Sequence, residues 1–101
     1  MIFMDFDKLV HQPTRLRILS HLYIRGETSF TDLKGELGLT EGNLSAHLRK
    51  LEDAGYAELE KTFENRKPKT TYQLTGEGED ALESHVEKLE EIIEGLEEAS
   101  E

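Results

Sequence analysis

The sequence contains no cysteine and no tryptophan, and it has only two prolines among 101 residues. Without cysteine there is no disulfide, no thiolate metal site and no thiol redox sensor, and this composition fits the reducing cytoplasm. No apolar run approaches the ~20 residues that a membrane-spanning helix needs. The opening stretch MIFMDFDKLV has no basic segment and carries two aspartates, so it does not predict a signal peptide. We therefore expect a cytoplasmic protein that does not enter a membrane.

Acidic residues are abundant but unevenly distributed. The formal net charge is −10. Residues 76–101 hold eleven of the 22 acidic residues and one of the 12 basic residues, so this segment carries the whole excess. The preceding 75 residues hold eleven of each and are neutral. The net negative charge therefore comes from the C-terminal segment. The rest of the chain is neutral and can carry its basic residues on one side of the fold.

Apolar spacing in the first half of the chain predicts helices. We expect a short helix over residues 2–10, a second over about 13–24, a third beginning at Ser29 and a fourth beginning at Thr40. The third and fourth are joined by a turn of about three residues that contains Gly38. Two helices joined in this way form a helix-turn-helix.

The second half predicts a hairpin and one long helix. YAELEKTF and TTYQLT alternate apolar and polar residues, as strands do, and we expect a loop of about six residues, Glu64 to Lys69, between them. Thr75 then caps a helix that runs to about residue 98. Its apolar residues are spaced four and three apart, which is a heptad seam, and Ile92 widens it. The seam consists of Leu82, Val86, Leu89, Ile93 and Leu96.

Three stretches in this order resemble winged helix-turn-helix transcriptional regulators of the MarR/ArsR type, and in particular their small single-domain members. The stretches are HQPTRLRIL, SFTDLKGELGLTEGNLSAHLRKLEDAGY and KTTYQLTGEG, and with the elements between them they cover nearly the whole chain. The resemblance implies a mainly α fold with a small β-hairpin, in a single domain over 1–101. Residues 13–75 would form the winged-helix core and 76–98 a dimerisation helix.

The resemblance also implies a function. Such proteins are usually homodimers that bind double-stranded operator DNA, most simply as repressors that occlude a promoter. The helix that begins at Thr40, the recognition helix, would enter the major groove. The hairpin, or wing, would touch the flanking backbone or minor groove.

The outer face of the recognition helix carries residue types that suit DNA. Asparagine can bond an adenine edge, and arginine or lysine suits guanine or phosphate. Glu41 would repel phosphate, and Ala46 stands where many relatives carry arginine, so we expect limited base-specific contact. The alternative is an ordinary solvated face or, for His47, a half-buried position. The candidate contacts are Thr40, Gly42, Asn43, Ser45, His47, Arg49 and Lys50.

The predicted wing carries three basic residues, Arg66, Lys67 and Lys69, where there is no core to support. Insertion of arginine into a narrow minor groove would explain them, and solubility is the alternative. Arg15 and Arg17 are better explained as helix-surface charges or local ion pairs than as DNA contacts.

One small core cannot bury the heptad seam, so we expect the first and last helices to form a dimer interface. With Val86 and Ile93 at the a positions, the e positions are glutamates and no e/g pair joins glutamate to lysine. We therefore expect the seam to pack broadly against the N-terminal helices, and the dimer to tighten with salt. The interface candidates are Phe3, Phe6, Leu82, Val86, Leu89, Ile92, Ile93 and Leu96.

Signals for catalysis, cofactors and metals are missing. The four histidines are scattered, and there is no nucleophile–base pair and no phosphate-binding glycine loop. We expect no enzymatic activity, no cofactor and no metal. A small-molecule effector between the last helix and the core stays open, although no residue argues for one. The rival function is a winged-helix module that binds a protein partner instead of DNA.

Overall fold

The chain folds into helices around a small antiparallel sheet, as expected for the mainly α class with a hairpin. A computed structural model describes residues 5–100. In chain order the elements are α1 (Lys8–His11), α2 (Pro13–Arg25), β1 (Thr28–Ser29), α3 (Phe30–Leu37), α4 (Glu41–Asp53), β2 (Ala57–Glu64), β3 (Lys67–Leu74) and α5 (Gly76–Ala99). Within residues 5–100, no helix is both long enough and apolar enough to cross a membrane.

Hydroxyl side chains determine where three of the helices begin. Each accepts a hydrogen bond from a backbone N–H in the first turn, which has no partner inside the helix. These bonds run from Asp32 N–H to Ser29 Oγ at 3.1 Å, from Asn43 N–H to Thr40 Oγ1 at 3.2 Å and from Gly78 N–H to Thr75 Oγ1 at 3.0 Å. The predicted starts of α3, α4 and α5 are confirmed.

The first helix is shorter than predicted. It begins at Lys8, because Asp7 is its cap and accepts a hydrogen bond from the Leu9 N–H at 2.9 Å. The prediction of a helix over 2–10 was therefore wrong for residues 5–7, and residues 2–4 lie outside the described range. Asp7 also accepts a 2.5 Å hydrogen bond from the Tyr56 hydroxyl, which ties this segment to the chain just before β2.

One apolar core lies beneath the helices and the base of the sheet. The buried side chains come from α1 to α5 and from both long strands, so the core fixes the angle between α4 and the hairpin. Its members are Val10, Ile18, Leu19, Leu22, Leu33, Leu44, Leu48, Leu51, Ala57, Tyr72 and Leu82.

The sheet has the order β1-β3-β2 and is antiparallel throughout. Strand β1 was not predicted, since two residues are too few to show an alternation. The hairpin register runs from Ala57 opposite Leu74 to Glu64 opposite Lys67. Only Asn65 and Arg66 lie between the strands, so the predicted six-residue loop was wrong. Strand pairing continues past the core because a two-residue turn with positive φ matches the twist of the hairpin.

Helix α5 packs on the domain along its first half only. Leu82 is 5% exposed and His85 is 2% exposed, whereas every residue from Glu90 to Ser100 is exposed. The Tyr23 hydroxyl donates a 2.5 Å hydrogen bond to Glu83, which joins α2 to α5. The distal half has no core to cover it, and the molecule is accordingly elongated, with a longest dimension of 60 Å.

Candidate nucleic-acid interface

Helix α4 turns an apolar stripe inward and a polar face outward. Its three leucines, Leu44, Leu48 and Leu51, are fully buried. This leaves most of the predicted DNA contacts at the surface, because positions between the stripe residues face solvent. Thr40, Gly42, Asn43, Arg49 and Lys50 are exposed, and Ser45 is half-buried.

Thr40 and Asn43 are joined at the start of this helix. The Thr40 hydroxyl accepts the Asn43 backbone N–H, which leaves the Asn43 side chain free in solvent. The helix start has three exposed positions in a row, Glu41, Gly42 and Asn43, so the backbone can come close to a partner at this point.

His47 is half-buried, and its ring faces the core side of α4. Its Nδ1 lies 3.2 Å from Nη1 of Arg15. Burial and the positive charges of Arg15 and Lys50 lower the pKa of His47 below its ordinary value of 6.5. A guanidinium can only donate, so Nδ1 accepts and the neutral ring carries its proton on Nε2.

Arg15 is an interior side chain of α2, not a surface charge. It is 8% exposed, and its Nε donates to the Leu9 carbonyl at 2.7 Å. The expectation of a surface charge or a local ion pair was wrong for Arg15, because its guanidinium bridges α1 and α4 through neutral acceptors. Arg17 is exposed, and it donates to the Leu37 carbonyl at 2.8 Å, at the end of α3.

The hairpin turn presents Arg66 and Lys67 in full exposure. Asn65 and Arg66 have φ values of 52° and 66°, in the left-handed region. Lys69 is different, because its Nζ lies 2.5 Å from Glu64 Oε2. This pairing lowers the pKa of Glu64 and raises that of Lys69. Of the three predicted basic residues, Lys69 is therefore held in a solvent-exposed ion pair within the hairpin.

A polar groove of about 770 Å³ separates the hairpin from α3 and α4. Ser45 of α4, Thr31 of α3 and Lys67 of β3 all line it. Of the predicted contacts, Ser45 of the helix and Lys67 and Lys69 of the hairpin therefore share this groove. Three acids, Asp32, Glu41 and Glu64, also line this groove and reduce its attraction for phosphate.

The predicted dimer residues divide into two groups. Phe6 and Leu82 are used inside the domain: the Phe6 ring stacks on His11 with centroids 4.5 Å apart, and Leu82 is in the core. Leu89 is half-buried, and four residues form an exposed apolar stripe on α5. The stripe consists of Ile92 (38% exposed), Val86 (42%), Ile93 (52%) and Leu96 (66%). Phe3 lies outside the described residues.

His85 is a buried residue that the sequence did not single out as structural. Its ring lies 5.3 Å from Phe6 and 5.2 Å from His11 between centroids, and neither ring nitrogen has a hydrogen-bond partner. Burial and the positive charges of His11 and Lys88 lower the pKa of His85, against a smaller opposite effect of Asp7. Among residues 5–100, no three histidines or acids are arranged to hold a metal ion.

The exposure of two hairpin residues near the candidate DNA contacts was not predicted. Leu59 and Phe63 alternate with polar residues, which predicts an inward face, yet they are 37% and 78% exposed. The hairpin extends beyond the core, and only its base, at Ala57 and Tyr72, is covered. The length of β2 was the available signal, since eight residues exceed what this small core can bury.

Comparison with known proteins identifies the family. Residues 14–93 match the family model of a winged helix DNA-binding domain. An uncharacterised protein of Methanocaldococcus jannaschii is 32% identical over 90 residues, which cover 89% of this chain and 98% of that protein. The structure of a transcriptional regulator homologue from Pyrococcus horikoshii superposes with a TM-score of 0.82 and 32% identity, over 87% of each chain.

A more distant structure has the same fold along the full length. It is a transcriptional regulator from Enterococcus faecalis assigned to the MarR family, with a TM-score of 0.72 and 24% identity, over 99% of this chain and 97% of that one. Because the family model covers the helix-turn-helix, the hairpin and most of α5, this chain belongs to the winged helix DNA-binding domain family and is a DNA-binding regulator.

Proposed function

We propose that the protein is a homodimeric, sequence-specific regulator that represses transcription by occluding operator DNA. Helix α4 lies in the major groove, and the hairpin contacts the flanking backbone or minor groove. The contacts proposed are those of the sequence analysis, with His47 and Lys69 reduced to supporting roles by their bonds to Arg15 and Glu64. They are Thr40, Gly42, Asn43, Ser45, His47, Arg49, Lys50, Arg66, Lys67 and Lys69.

The observation that carries this proposal is the conformation of Arg66. A residue with a side chain in the left-handed region costs roughly 1–2 kcal/mol, and glycine would adopt the same turn without that cost. Strain of this kind at an exposed position favours a function for the side chain over a structural role. The turn also holds Arg66 at the far end of the hairpin, between Asn65 and Lys67, which line the groove beside α4.

The dimer is supported by the exposed stripe of α5. Four large apolar side chains over three helical turns, from Val86 to Leu96, leave an apolar strip that a second copy can cover. A two-fold dimer would place its two recognition helices about 34 Å apart, one turn of B-DNA. Such a dimer predicts an inverted-repeat operator.

A small-molecule effector is a further part of the proposal. An apolar groove of about 490 Å³ lies between α2 and α5, bordered by Tyr23, Ile24 and Val86. Glu83, Glu87 and Glu90 surround it and favour a neutral or cationic ligand over an anion. A ligand here would change the angle between α5 and the core, and hence the spacing of the two recognition helices.

The test of operator binding is selection from a random duplex DNA pool with the purified protein at moderate salt. An enriched inverted repeat with half-sites one helical turn apart would support the proposal, and its loss with Arg66→Ala would assign the hairpin. The control is Glu58→Ala, at an exposed position of β2 away from the turn.

The rival function, docking on a protein partner, makes a different prediction for the same experiment. Its support is the acidic α5 and the acids of the groove, which DNA repels. If no sequence is enriched, residual binding that falls steeply with salt indicates a DNA binder of low specificity, whereas no binding at all supports the rival.

A further inference from the structure

Phe63 is a large aromatic side chain that the fold leaves in solvent. It is 78% exposed and lies one residue before the end of β2. The register places Pro68 opposite it on β3. Every residue from Glu58 to Pro68 is exposed, so neither ring supports the core. An apolar pair at the end of a hairpin therefore has no role in folding that the described contacts reveal.

The register also shows which way this pair faces. Directly opposed residues of an antiparallel pair lie on the same face, and faces alternate along each strand. Phe63 therefore shares its face with Tyr72, whose ring centroid lies 6.4 Å from that of Phe30 in α3. Pro68 and Tyr72 line the polar groove together with Ser45 of α4. The groove is also lined by Glu64, Lys67 and Lys69 of the opposite face, so the Phe63 face is one of two hairpin faces that meet the proposed DNA surface.

The hairpin separates its charges between the two faces. The Phe63 face carries one cation, Lys61, and no acid over residues 57–74. Its members are Ala57, Leu59, Lys61, Phe63, Pro68, Thr70, Tyr72 and Leu74. The three hairpin glutamates fall on the opposite face, where Gln73 donates to Glu58 and Lys69 donates to Glu64.

Phe63 therefore has one cation, Lys61, beside it on an acid-free face. Lys61 lies two residues before it, Arg66 follows in the turn, and Lys67 beyond the turn lies on the opposite face. A ring flanked by cations matches the minor groove of DNA, where apolar sugar edges and base steps lie between two rows of phosphates. Apolar side chains inserted there unstack a base step and bend the duplex.

We propose that Phe63 inserts into the minor groove beside each half-site and bends the operator there. The inference rests on the proposed DNA-binding function and adds to it a sequence preference. Flexible pyrimidine–purine steps unstack most easily, so the protein would favour such a step at a fixed distance outside each half-site. Arg66 and Lys67 would hold the phosphates while the ring opens the step.

The experiment compares wild type, Phe63→Ala, Phe63→Leu and the control Thr62→Ala on the operator that wild type selects. Thr62 is the neighbouring exposed residue and points to the opposite face. The bend is measured by energy transfer between dyes at the DNA ends, and unstacking by 2-aminopurine placed at the flanking step. Thermal melting checks that each variant is folded.

We expect wild type and Thr62→Ala to bend the DNA by about 20–90° and to brighten 2-aminopurine. Phe63→Ala should lose both signals and the preference for the flanking step, with a loss of affinity of about tenfold. Phe63→Leu should retain part of the bend, because leucine can also insert.

Three results would overturn the inference, and they differ from one another. If Phe63→Ala bends the DNA and prefers the flanking step as wild type does, Phe63 does not insert, and the proposed DNA-binding function is unaffected. A change in the sedimentation of free Phe63→Ala would place the ring in a protein interface instead. Failure of the wild type to select any operator would contradict both the proposed function and the insertion of Phe63.

Discussion

Arg15 Nη1 lies 3.2 Å from His47 Nδ1, and the same guanidinium donates through Nε to the Leu9 carbonyl. One interior side chain thus connects the recognition helix to α1 and α2. Because the guanidinium is charged and 8% exposed, its hydrogen bonds have to compensate for the loss of water. The position of α4 on the core therefore depends on Arg15 as well as on the leucine stripe.

We predict that Arg15→Ala lowers the free energy of unfolding by about 2 kcal/mol, which is typical of lost hydrogen bonds to a charged group. Urea denaturation measures this. Arg17→Ala is the matched control in the same helix, since Arg17 is exposed and makes one bond to Leu37, and it should cost under about 1 kcal/mol. Equal costs for the two variants would contradict the bridging role.

His85 predicts a dependence of stability on pH. Its folded-state pKa is lowered from 6.5, so the unfolded chain binds more protons, and stability is lost as pH falls below about 6.5. His47 acts in the same direction. Denaturation at pH 8 and pH 5.5 should show the loss.

His85→Leu should remove part of that dependence and stabilise the fold by about 1 kcal/mol at pH 8, because both ring nitrogens lack partners. The gain should be larger at pH 5.5. The control is His21→Leu, which gives up a 2.9 Å contact between Nε2 and Glu36 and should gain nothing. A destabilised His85→Leu at both pH values would count against this account of the ring.

Gly78 and Gly95 lie in the same helix and should respond oppositely to alanine. A Cβ on Gly78 would lie 2.0 Å from the Tyr56 carbonyl oxygen, whereas one on Gly95 would meet nothing within 4 Å. We predict a loss of about 3 kcal/mol for Gly78→Ala, as for an overpacked core. Gly95→Ala should gain about 0.5–1 kcal/mol from helix propensity. Thermal melting of both variants tests the close approach.

Arg66→Gly should separate stability from binding. Glycine relieves the left-handed strain, so the free energy of unfolding should rise by about 1 kcal/mol. Operator affinity should fall about tenfold, because the cation is lost. Arg66→Ala should lose the same affinity without the gain in stability. If both variants retain the operator affinity of wild type, the hairpin turn does not contact DNA.

The proposed dimer should tighten as salt is added. The exposed half of α5 is rich in glutamate, and two such helices repel each other until salt screens them. Sedimentation at low and high salt measures the association. Ile93→Glu should give a monomer at both concentrations, while Glu94→Gln, outside the seam, should still dimerise. A wild-type dimer that dissociates with added salt would refute the repulsion.

Local chemistry allowed much of the fold to be predicted. A hydroxyl that accepts an N–H three residues on, as Thr40 does, is encoded within four residues, and so is a leucine stripe. These signals located α3, α4 and α5, and the resemblance placed the candidate interface on α4 and the hairpin.

What could not be predicted depends on partners that are distant in the chain. Arg15 and His47 are 32 residues apart, and the Tyr56 carbonyl that excludes a side chain at Gly78 comes from just before β2, across the base of the hairpin. The polar residues at 64–69 indicated a loop, but they pair as strand because the turn at Asn65 fits the twist. The exposure of Phe63 depends on how far the hairpin extends beyond the core.

The extended α5 also affects how the protein approaches DNA. Its ten acids lie on a helix about 36 Å long, whose distal half is fully exposed, while residues 1–75 are neutral. The charge is therefore displaced from the centre of the molecule, and the field of a DNA duplex exerts a torque on it. On approach to DNA, that torque would turn the acidic half of α5 away from the phosphates before contact. The net charge of −10 would then orient the protein relative to the DNA as well as repel it.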